Sequence, residues 1–368
     1  MREVVIAGVG MHKCGRYPDK PATDLAWTAA VNAIDDAGVA WKDVEIAYAS
    51  HVRQGVSVGE AICEKIGLTG IPIMNLENAC ASGSTAIREA FYAVGHGLYD
   101  VAIVIGVEKL GRGVLGGAGE EGSLERELGL NVMPALYALK ANKHMHEYGT
   151  TREQMAKISV KNHKNGCLNP NAHYQKEFTV EEVLSSRMIC DPITLLQCCP
   201  TSDGAAAAVI CAKNVVDRYT SKPKVFIAGS GLLTEKYGSD LDLAARTSMV
   251  AYEEAGMGPE DIDFAEVHDA FTIGEILHYE SLGFCAPGEG GLMVDQGRTE
   301  LGGDLPVNPS GGLQSKGHPL GMTGIGQLCE VVWQLRGEAG KRQIDSPGAG
   351  LTHTQGAGGV CSVHVFKR

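Results

Sequence analysis

Short apolar runs alternate along the chain with segments whose apolar residues recur at helical spacing. The runs Val4–Val9 and Val101–Val107 have strand length, and each predicts a buried β-strand. Between them, one stretch places its apolar residues along a single helix face: Ala86, Ile87, Ala90, Phe91 and Val94. This alternation predicts an α/β fold whose sheets are mostly parallel and covered by helices.

The second part of the chain repeats the first. A helix that opens at Asp24 and ends before Gly38 has a counterpart that opens at Asp242 and ends before Gly256. The offset is 218 residues at both ends. In each copy a glycine C-cap, a turn containing aspartate and a further strand follow the helix. This agreement indicates two structurally related halves.

We place the N-terminal half at residues 1–220 and the C-terminal half at residues 221–368. Residues from about 110 to 200 have no counterpart in the second half. This insertion begins with the glycine-rich stretch Gly111–Gly122 and continues with helical spacing over Met133–Tyr148. We therefore expect a loop domain inserted in the first half.

Composition and charge exclude several classes of function. The chain has 368 residues, of which 44% are hydrophobic and 21% charged, and its formal net charge is −12 at pH 7. An acidic protein disfavours nucleic acid and anionic membranes as partners, and no apolar stretch reaches the length of a membrane span. The 11 cysteines lack metal-ligand spacing, and the N-terminus lacks a signal-peptide pattern. We therefore expect reduced thiols, no metal and a cytoplasmic location.

Cys80 is the first candidate for chemistry, because it lies where the predicted strand Ile71–Met74 gives way to a helix. The unpaired N–H groups and the dipole of a helix N-terminus lower the pKa of a nearby thiol, which favours the reactive thiolate. Small residues around Cys80 leave room for a bulky substrate. A buried structural cysteine is the alternative interpretation.

Two histidines and a glycine turn supply the other parts of a covalent acyl-transfer site. His268 follows a predicted strand, His318 lies in a glycine-flanked loop before a helix, and a glycine turn spans Gly356–Gly359. A nucleophilic cysteine needs a neighbouring base, and an acyl oxyanion needs preset N–H donors such as those of a glycine turn. Taken singly, each histidine is better explained as a structural residue, so the hypothesis depends on their combination.

Five sequence motifs occur together over nearly the whole chain. They are Asn78–Ala86, Leu196–Ala205, His268–Phe271, Asn308–Gly312 with Lys316–Gly321, and Trp333–Gln343. In this combination the chain resembles the thiolase family, in particular the thiolase domain of the sterol-carrier-protein-X group in a His-Asp-Ala-Phe variant. The resemblance implies a duplicated five-layer α/β/α/β/α fold with an inserted loop domain, usually assembled as a dimer.

The resemblance also implies roles for the candidate residues. Cys80 would attack a 3-oxoacyl-CoA and carry the acyl group, and His318 would activate Cys80. His268 would position a water for the oxyanion that His318 also holds, while the backbone N–H groups of Cys80 and Gly358 would form a second oxyanion hole. Coenzyme A would be a co-substrate, with no bound cofactor.

We expect the loop that carries His318 to contact the substrate as well. The candidates in this loop are Ser310, Gly311 and Lys316.

The chain departs from the family at the second catalytic cysteine. Many thiolases carry it in a Cys-x-Gly turn, which here begins with Gly356, and sterol-carrier-type relatives place a substitute at the position of Ala270. Both cysteines are missing. Cleavage of a carbon–carbon bond beside a carbonyl requires a group that moves the α-carbon proton. Either His268, His353 or a partner's residue does so, or the activity is altered.

Three functions remain open at this point. The first is a thiolase that cleaves a 3-oxoacyl-CoA with CoA, on a branched, aromatic or steroid-derived substrate such as benzoylsuccinyl-CoA. For this function a partner is also open, because relatives with the His-Asp-Ala-Phe pattern often resemble subunits that work with a small zinc-ribbon/OB-fold protein. The second is a partner-dependent acyltransferase or retro-aldolase on the same fold, which would use the same pocket with less need for a second cysteine. The third is a non-catalytic subunit that binds lipid or acyl-CoA, and the presence of Cys80 and His318 argues against it.

Overall fold

The computed structural model describes residues 1–111, 122–130 and 132–368. Its strands are β1 (Val4–Gly15), β2 (Ile46–Ser50), β3 (Ile73–Leu76), β4 (Val101–Glu108), β5 (Met188–Cys190), β6 (Ile193–Thr194), β7 (Asp203–Ala212), β8 (Val225–Thr234), β9 (Phe264–Glu266), β10 (Ala349–Gly356) and β11 (Val360–Lys367). Its helices are α1 (Ala22–Ala37), α2 (Val58–Ile66), α3 (Ser82–Gly95), α4 (Leu124–Glu127), α5 (Met133–Tyr148), α6 (Arg152–Cys167), α7 (Val180–Ser185), α8 (Lys213–Val216), α9 (Leu243–Ala255), α10 (Thr272–Ser281), α11 (Gly290–Asp295), α12 (Gly312–Ser315) and α13 (Thr323–Arg336).

The strands join into one large sheet in the order β3-β2-β4-β7-β1-β8-β11-β10-β9. The two halves of this sheet meet where Val5 and Ile6 of β1 pair with Phe226 and Val225 of β8. The duplication is visible in α1 and α9, which end at glycine C-caps with φ of 66° and 64°. Each of these helices leads through a short 3₁₀ turn to a strand, β2 in the first half and β9 in the second.

The expectation of mostly parallel strands is wrong. Only β2 with β3, β2 with β4 and β9 with β10 are parallel within the described ranges, and the other pairs of the large sheet are antiparallel. The connections between the strands explain this difference. Parallel neighbours need a long crossover connection. β7 instead follows the long insertion, and β11 follows β10 through a tight turn, so both strands can run antiparallel to their neighbours.

Helices cover the sheet on both sides and also lie between its two halves. α1 packs on β1 and β7, and α9 packs on β8 and β11. α3 and α13 pack on each other and contact strands of both halves. These contacts give five layers, with α3 and α13 in the middle. α13 is buried along almost its whole length, as expected for a helix with protein on every side.

Close contact between α3 and α13 brings the two candidate loops together. A Cβ added at Gly324 would lie 2.5 Å from the backbone nitrogen of Ser84, so no larger residue fits at that point. Both residues are near the N-termini of their helices. The loops that precede these helices carry Cys80 and His318, and they therefore meet at one place.

The insertion contains the predicted helix Met133–Tyr148 as α5, followed by α6. α5 and α6 contact α10, and α6 also contacts α12, so the insertion covers the segments that flank His268 and His318. Most of the glycine-rich stretch expected over Gly111–Gly122 lies outside the described residues. Among the helices that are described, none combines the length and the apolar character that a membrane crossing needs.

Candidate active site

Cys80 lies in a tight elbow between β3 and α3. Ala79 has a φ of 50°, which is unfavourable for a residue with a side chain. The Ser82 hydroxyl holds this conformation, because it accepts from the Asn78 N–H at 2.8 Å and donates to the Ala79 carbonyl at 2.6 Å. Cys80 keeps partial exposure to solvent, so a substrate can approach it.

The thiol of Cys80 is protonated at neutral pH. Burial of the sulfur, with the Glu108 and Glu77 carboxylates nearby, raises its pKa to about 12. Hydrogen bonds from the N–H groups of Ala357 and of Cys80 itself lower it, but by less. The expectation of a pKa lowered by the helix N-terminus is therefore wrong, because desolvation of the sulfur outweighs the nearby N–H groups. A neighbouring base has to take the proton.

His318 has the protonation state that such a base needs. Its Nδ1 lies 2.8 Å from the Thr323 hydroxyl, and that hydroxyl donates its single hydrogen to the Pro319 carbonyl at 2.9 Å. The hydroxyl therefore accepts from Nδ1–H, which leaves Nε2 of His318 without a proton. Burial, with His268 and Lys316 nearby, holds the pKa of His318 well below its usual value, so the ring is neutral.

The structure brings three of the predicted residues into one cluster. One donor atom each of Cys80, His268 and His318 lies within 4.8 Å of the other two. The two imidazole rings meet edge to face, with centroids 5.1 Å apart and an angle of 80° between their planes. Burial lowers the pKa of His268 to about 3. The cluster can thus move one proton and hydrogen-bond an oxyanion.

A sulfur with two imidazole nitrogens is also a donor set that suits zinc. In the part of the chain that the structure describes, it is the one group of histidine, cysteine or carboxylate donors close enough to hold a metal ion.

Asp269 fixes the loop of His318 to the strand end that carries His268. Its carboxylate accepts from the Leu313 N–H at 2.7 Å and from the Asn162 amide at 2.9 Å. Asn162 belongs to α6, so the insertion also takes part in positioning the two histidines. This role of Asp269 is not among the expectations from the sequence, although the His-Asp pair at 268–269 is a visible signal.

Ser310, Gly311 and Lys316 are buried in the loop that carries His318. Lys316 is 1% exposed and forms a buried ion pair of 3.2 Å with Glu266. The Ser310 hydroxyl donates to the same carboxylate at 2.7 Å. Gly311 packs on the backbone of Gly166 with a φ of 96°. These contacts form a buried network that holds the loop, and direct contact of Ser310, Gly311 and Lys316 with the substrate stays a prediction.

Gly358 lies in the turn between β10 and β11, which packs against the Cys80 elbow. Its φ is 88°, and it is exposed. A Cβ at Gly356 would lie 2.5 Å from the Asn78 carbonyl oxygen, so turn and elbow are in close contact. The N–H of this turn that reaches the sulfur is that of Ala357. No sequence signal distinguishes Ala357 from its neighbours.

The close approach of Gly356 to the Asn78 carbonyl oxygen explains why position 356 is a glycine, since a cysteine side chain does not fit there. Cys361 does not replace it. Alternation along β11 turns Cys361 towards Thr247 of α9, whereas His364 faces the opposite way and contacts the Ser84 carbonyl of α3 at 3.0 Å.

Family models decide the identity. A model described as "Thiolase, N-terminal domain" matches residues 4–214, and one described as "Thiolase C-terminal domain-like" matches residues 235–367. The chain belongs to the thiolase family. It is an acyltransferase enzyme.

Relatives of this thiolase match it over nearly its whole length. "Acetyl-CoA acetyltransferase" of Methanothermobacter thermautotrophicus is 43% identical and is covered over 100% of both chains. "Sterol carrier protein 2" of Oryctolagus cuniculus is 39% identical over 99% of this chain and 72% of its own length. "Benzoylsuccinyl-CoA thiolase subunit BbsB" of Thauera aromatica is 37% identical over 97% and 95%. The predicted family, with relatives of the sterol-carrier type, is confirmed.

Two solved structures share the fold of this thiolase. "Ltp2-ChsH2(DUF35) aldolase" superposes with a TM-score of 0.88 at 25% identity, over 99% of this chain and 97% of that one. Human mitochondrial 3-ketoacyl-CoA thiolase in complex with CoA gives a TM-score of 0.77 at 18% identity, over 100% and 98%. The predicted thiolase fold is confirmed.

Proposed function

We propose that this thiolase cleaves a 3-oxoacyl-CoA with coenzyme A through an acyl intermediate on Cys80. The observation that carries the proposal is the cluster in which donor atoms of Cys80, His268 and His318 lie within 4.8 Å of one another. A thiol, a base with a free nitrogen and a second imidazole are the groups that covalent acyl transfer needs.

The first half of the reaction moves one proton within the cluster. His318 Nε2 takes the proton of the Cys80 thiol while the sulfur bonds to C3 of the substrate. Because the thiol pKa is about 12, the thiolate forms only as the attack proceeds. The imidazolium of His318, with a water held by His268, stabilises the oxyanion. The bond between C2 and C3 then breaks and leaves the acyl group on Cys80.

In the second half, the sulfur of coenzyme A attacks the acyl group. We assign the second oxyanion hole to the backbone N–H groups of Cys80 and Gly358. The position of Cys80 before the first turn of α3 supports this assignment, because N–H groups at a helix start have no partner within the helix. The released Cys80 sulfur regains its proton from His318.

We infer a branched or aromatic acyl group, with benzoylsuccinyl-CoA as the specific candidate. The relative named as a benzoylsuccinyl-CoA thiolase subunit supports this inference, and the relative solved with bound CoA supports coenzyme A as the co-substrate.

A second copy of the chain and a small subunit are the partners we propose. β3 is an edge strand, and Met74 on it is 49% exposed, so pairing there with a second copy would form a homodimer. A small zinc-ribbon/OB-fold subunit is supported by the relative whose description includes ChsH2(DUF35). The unpaired thiols throughout the chain support a cytoplasmic location.

The same relative favours a second candidate function. Its description as an aldolase and its TM-score of 0.88 support a retro-aldolase that works with a partner subunit. Such an enzyme releases a carbonyl product and forms no acyl-cysteine. A non-catalytic subunit that binds acyl-CoA would form neither a carbonyl product nor an acyl-cysteine.

The mass of the intact protein separates these functions. The chain is incubated with acetoacetyl-CoA or with benzoylsuccinyl-CoA, and then with free CoA. We expect one acyl adduct that CoA removes, that is absent in Cys80→Ala and that persists in Cys167→Ala, a partly exposed cysteine at the end of α6.

The absence of any adduct with either thioester would refute the thiolase proposal. Release of a carbonyl product only in the presence of a small partner would then support the retro-aldolase, and tight acyl-CoA binding without turnover would support the non-catalytic subunit.

A further inference from the structure

Cleavage of the substrate leaves an electron pair on C2 that must take up a proton. Cys80 and His318 are already engaged with the proton of the nucleophile. A further group is therefore required beside the cluster, one that gives a proton to C2 and later regains it. This reasoning rests on the proposed function.

Most cysteines near the site point elsewhere. The Cys198 thiol donates to the Thr194 carbonyl at 3.4 Å, and Cys361 faces Thr247. Cys14 is fully buried. His353 is also fully buried behind His268, whose backbone N–H donates to its Nδ1 at 3.4 Å. These groups are thus either engaged in other contacts or enclosed by the protein.

Cys199 is differently placed. Its backbone N–H donates to the Ala270 carbonyl at 2.8 Å, next to an antiparallel bridge between Cys198 and Phe271. In such a pair Cys199 and Ala270 stand directly opposite each other, and opposite side chains share a face with their Cβ atoms about 5 Å apart. Cys199 thus presents its thiol beside the segment that carries His268.

Three neighbours locate the Cys199 thiol more closely. Asp269 and Cys80 lie close enough for their ionisation to raise the pKa of the Cys199 thiol, and Cys80 and Cys199 affect the pKa of the Tyr137 hydroxyl in the same way. The Tyr137 ring stacks on Phe271 at 4.6 Å. The two thiols and this tyrosine therefore lie near one another. Cys199 is partly exposed, unlike His353.

The protonation state of Cys199 suits a proton donor. Burial raises its pKa well above the usual value, and the adjacent Cys198, Asp269 and Cys80 raise it further. The group is a thiol at neutral pH, and its conjugate thiolate is a strong base. Asp269 is another acidic group near the cluster, but its carboxylate is already engaged, because it accepts hydrogen bonds from the Leu313 N–H and the Asn162 amide.

We propose that Cys199 is the acid/base that exchanges the proton with C2 of the substrate. As the bond between C2 and C3 breaks, its electron pair goes to C2, and the Cys199 S–H gives its proton to that carbon. The resulting thiolate takes the proton of the incoming coenzyme A thiol, whose sulfur attacks the acyl group on Cys80. In the reverse direction the Cys199 thiolate removes a proton from C2.

Hydrogen exchange tests this role apart from acylation. Each protein is incubated with acetyl-CoA in D₂O, acetylation of Cys80 is followed by intact mass, and loss of methyl protons from acetyl-CoA is followed by NMR. In Cys199→Ser we expect exchange slowed by about 100-fold or more. Cys80 should still form the acetyl adduct, but more slowly than in the wild type, because Cys199 also gives the proton to the coenzyme A that leaves in that step.

Two further variants complete the test. Cys198→Ser, whose thiol faces Thr194, should exchange like the wild type. Adding Ala270→Cys to Cys199→Ser returns a thiol to the same face and should restore part of the exchange. Exchange at the wild-type rate in Cys199→Ser would overturn the inference, whereas a wild-type protein that forms no acetyl or other acyl adduct would refute the proposed function itself.

Discussion

The Nδ1 of His318 and the hydroxyl of Thr323 lie 2.8 Å apart, and this contact decides which nitrogen of the ring faces Cys80 as a base. The hydroxyl can only accept from the ring, because its own hydrogen is used on the Pro319 carbonyl. The tautomer needed to deprotonate Cys80 is therefore built into the first turn of α13.

Thr323→Val should slow acylation of Cys80 without unfolding the protein. The variant keeps the side-chain shape but loses an acceptor, and one hydrogen bond of about 1 kcal/mol corresponds to roughly fivefold in rate. Single-turnover acylation measures the effect. Thr323→Ser retains the hydroxyl and should acylate at nearly the wild-type rate. Equal rates in Thr323→Val and the wild type would show that the tautomer does not depend on this contact.

Alkylation of Cys80 by iodoacetamide should accelerate steadily as the pH rises from 7 to 10. Burial raises the thiol pKa to about 12, so the reactive thiolate fraction grows about tenfold for each pH unit below that value. The rate is followed by mass spectrometry of the peptide that contains Cys80. A plateau already reached at pH 7 would instead indicate a resting thiolate–imidazolium pair.

Acid should destabilise the protein through buried neutral histidines. Burial lowers the pKa of His268 and His353 to about 3 and that of His163 and His364 to about 4. Below about pH 6.5 the unfolded chain binds protons that the folded chain refuses, so each histidine lowers the free energy of unfolding by up to about 1.4 kcal/mol per pH unit. Urea unfolding at pH 7, 6 and 5 measures the slope.

His163→Gln provides the matched comparison for that slope. His163 packs edge-on against Phe178 at 4.8 Å and takes no part in the catalytic cluster. The variant should reduce the pH dependence near pH 5 by about one proton, or 1.4 kcal/mol per pH unit. An unchanged slope would mean that His163 is already protonated in the folded protein.

Lys316→Met should destabilise the protein strongly. It leaves the Glu266 carboxylate buried without its cation, and breaking one side of a buried pair typically costs about 3–5 kcal/mol. Lys157→Met removes an exposed pair with Asp295 and should cost less than about 1 kcal/mol. Urea unfolding compares the two. Stability close to that of the wild type, together with weaker CoA binding, would return Lys316 to the substrate site.

Much of the fold follows from local patterns in the sequence. The strand Val4–Val9 lies within β1, the helix predicted over Met133–Tyr148 is α5, and Gly38 caps α1 as expected. These features depend on hydrophobic period and on residues that cap or turn the chain. Strand direction was not accessible in the same way, because it depends on how β7 and β11 enter the sheet.

The motifs around Cys80, His268 and His318 were sufficient to indicate the thiolase family, because each motif is a run of residues adjacent along the chain. Three other features depend on the folded chain: Cys80 is a thiol at rest, Lys316 is paired with Glu266, and Cys199 lies beside the segment of His268. Desolvation and pairing are produced by segments that are distant in sequence, and their effect on a pKa or on a side chain's surroundings exists only once those segments have packed together.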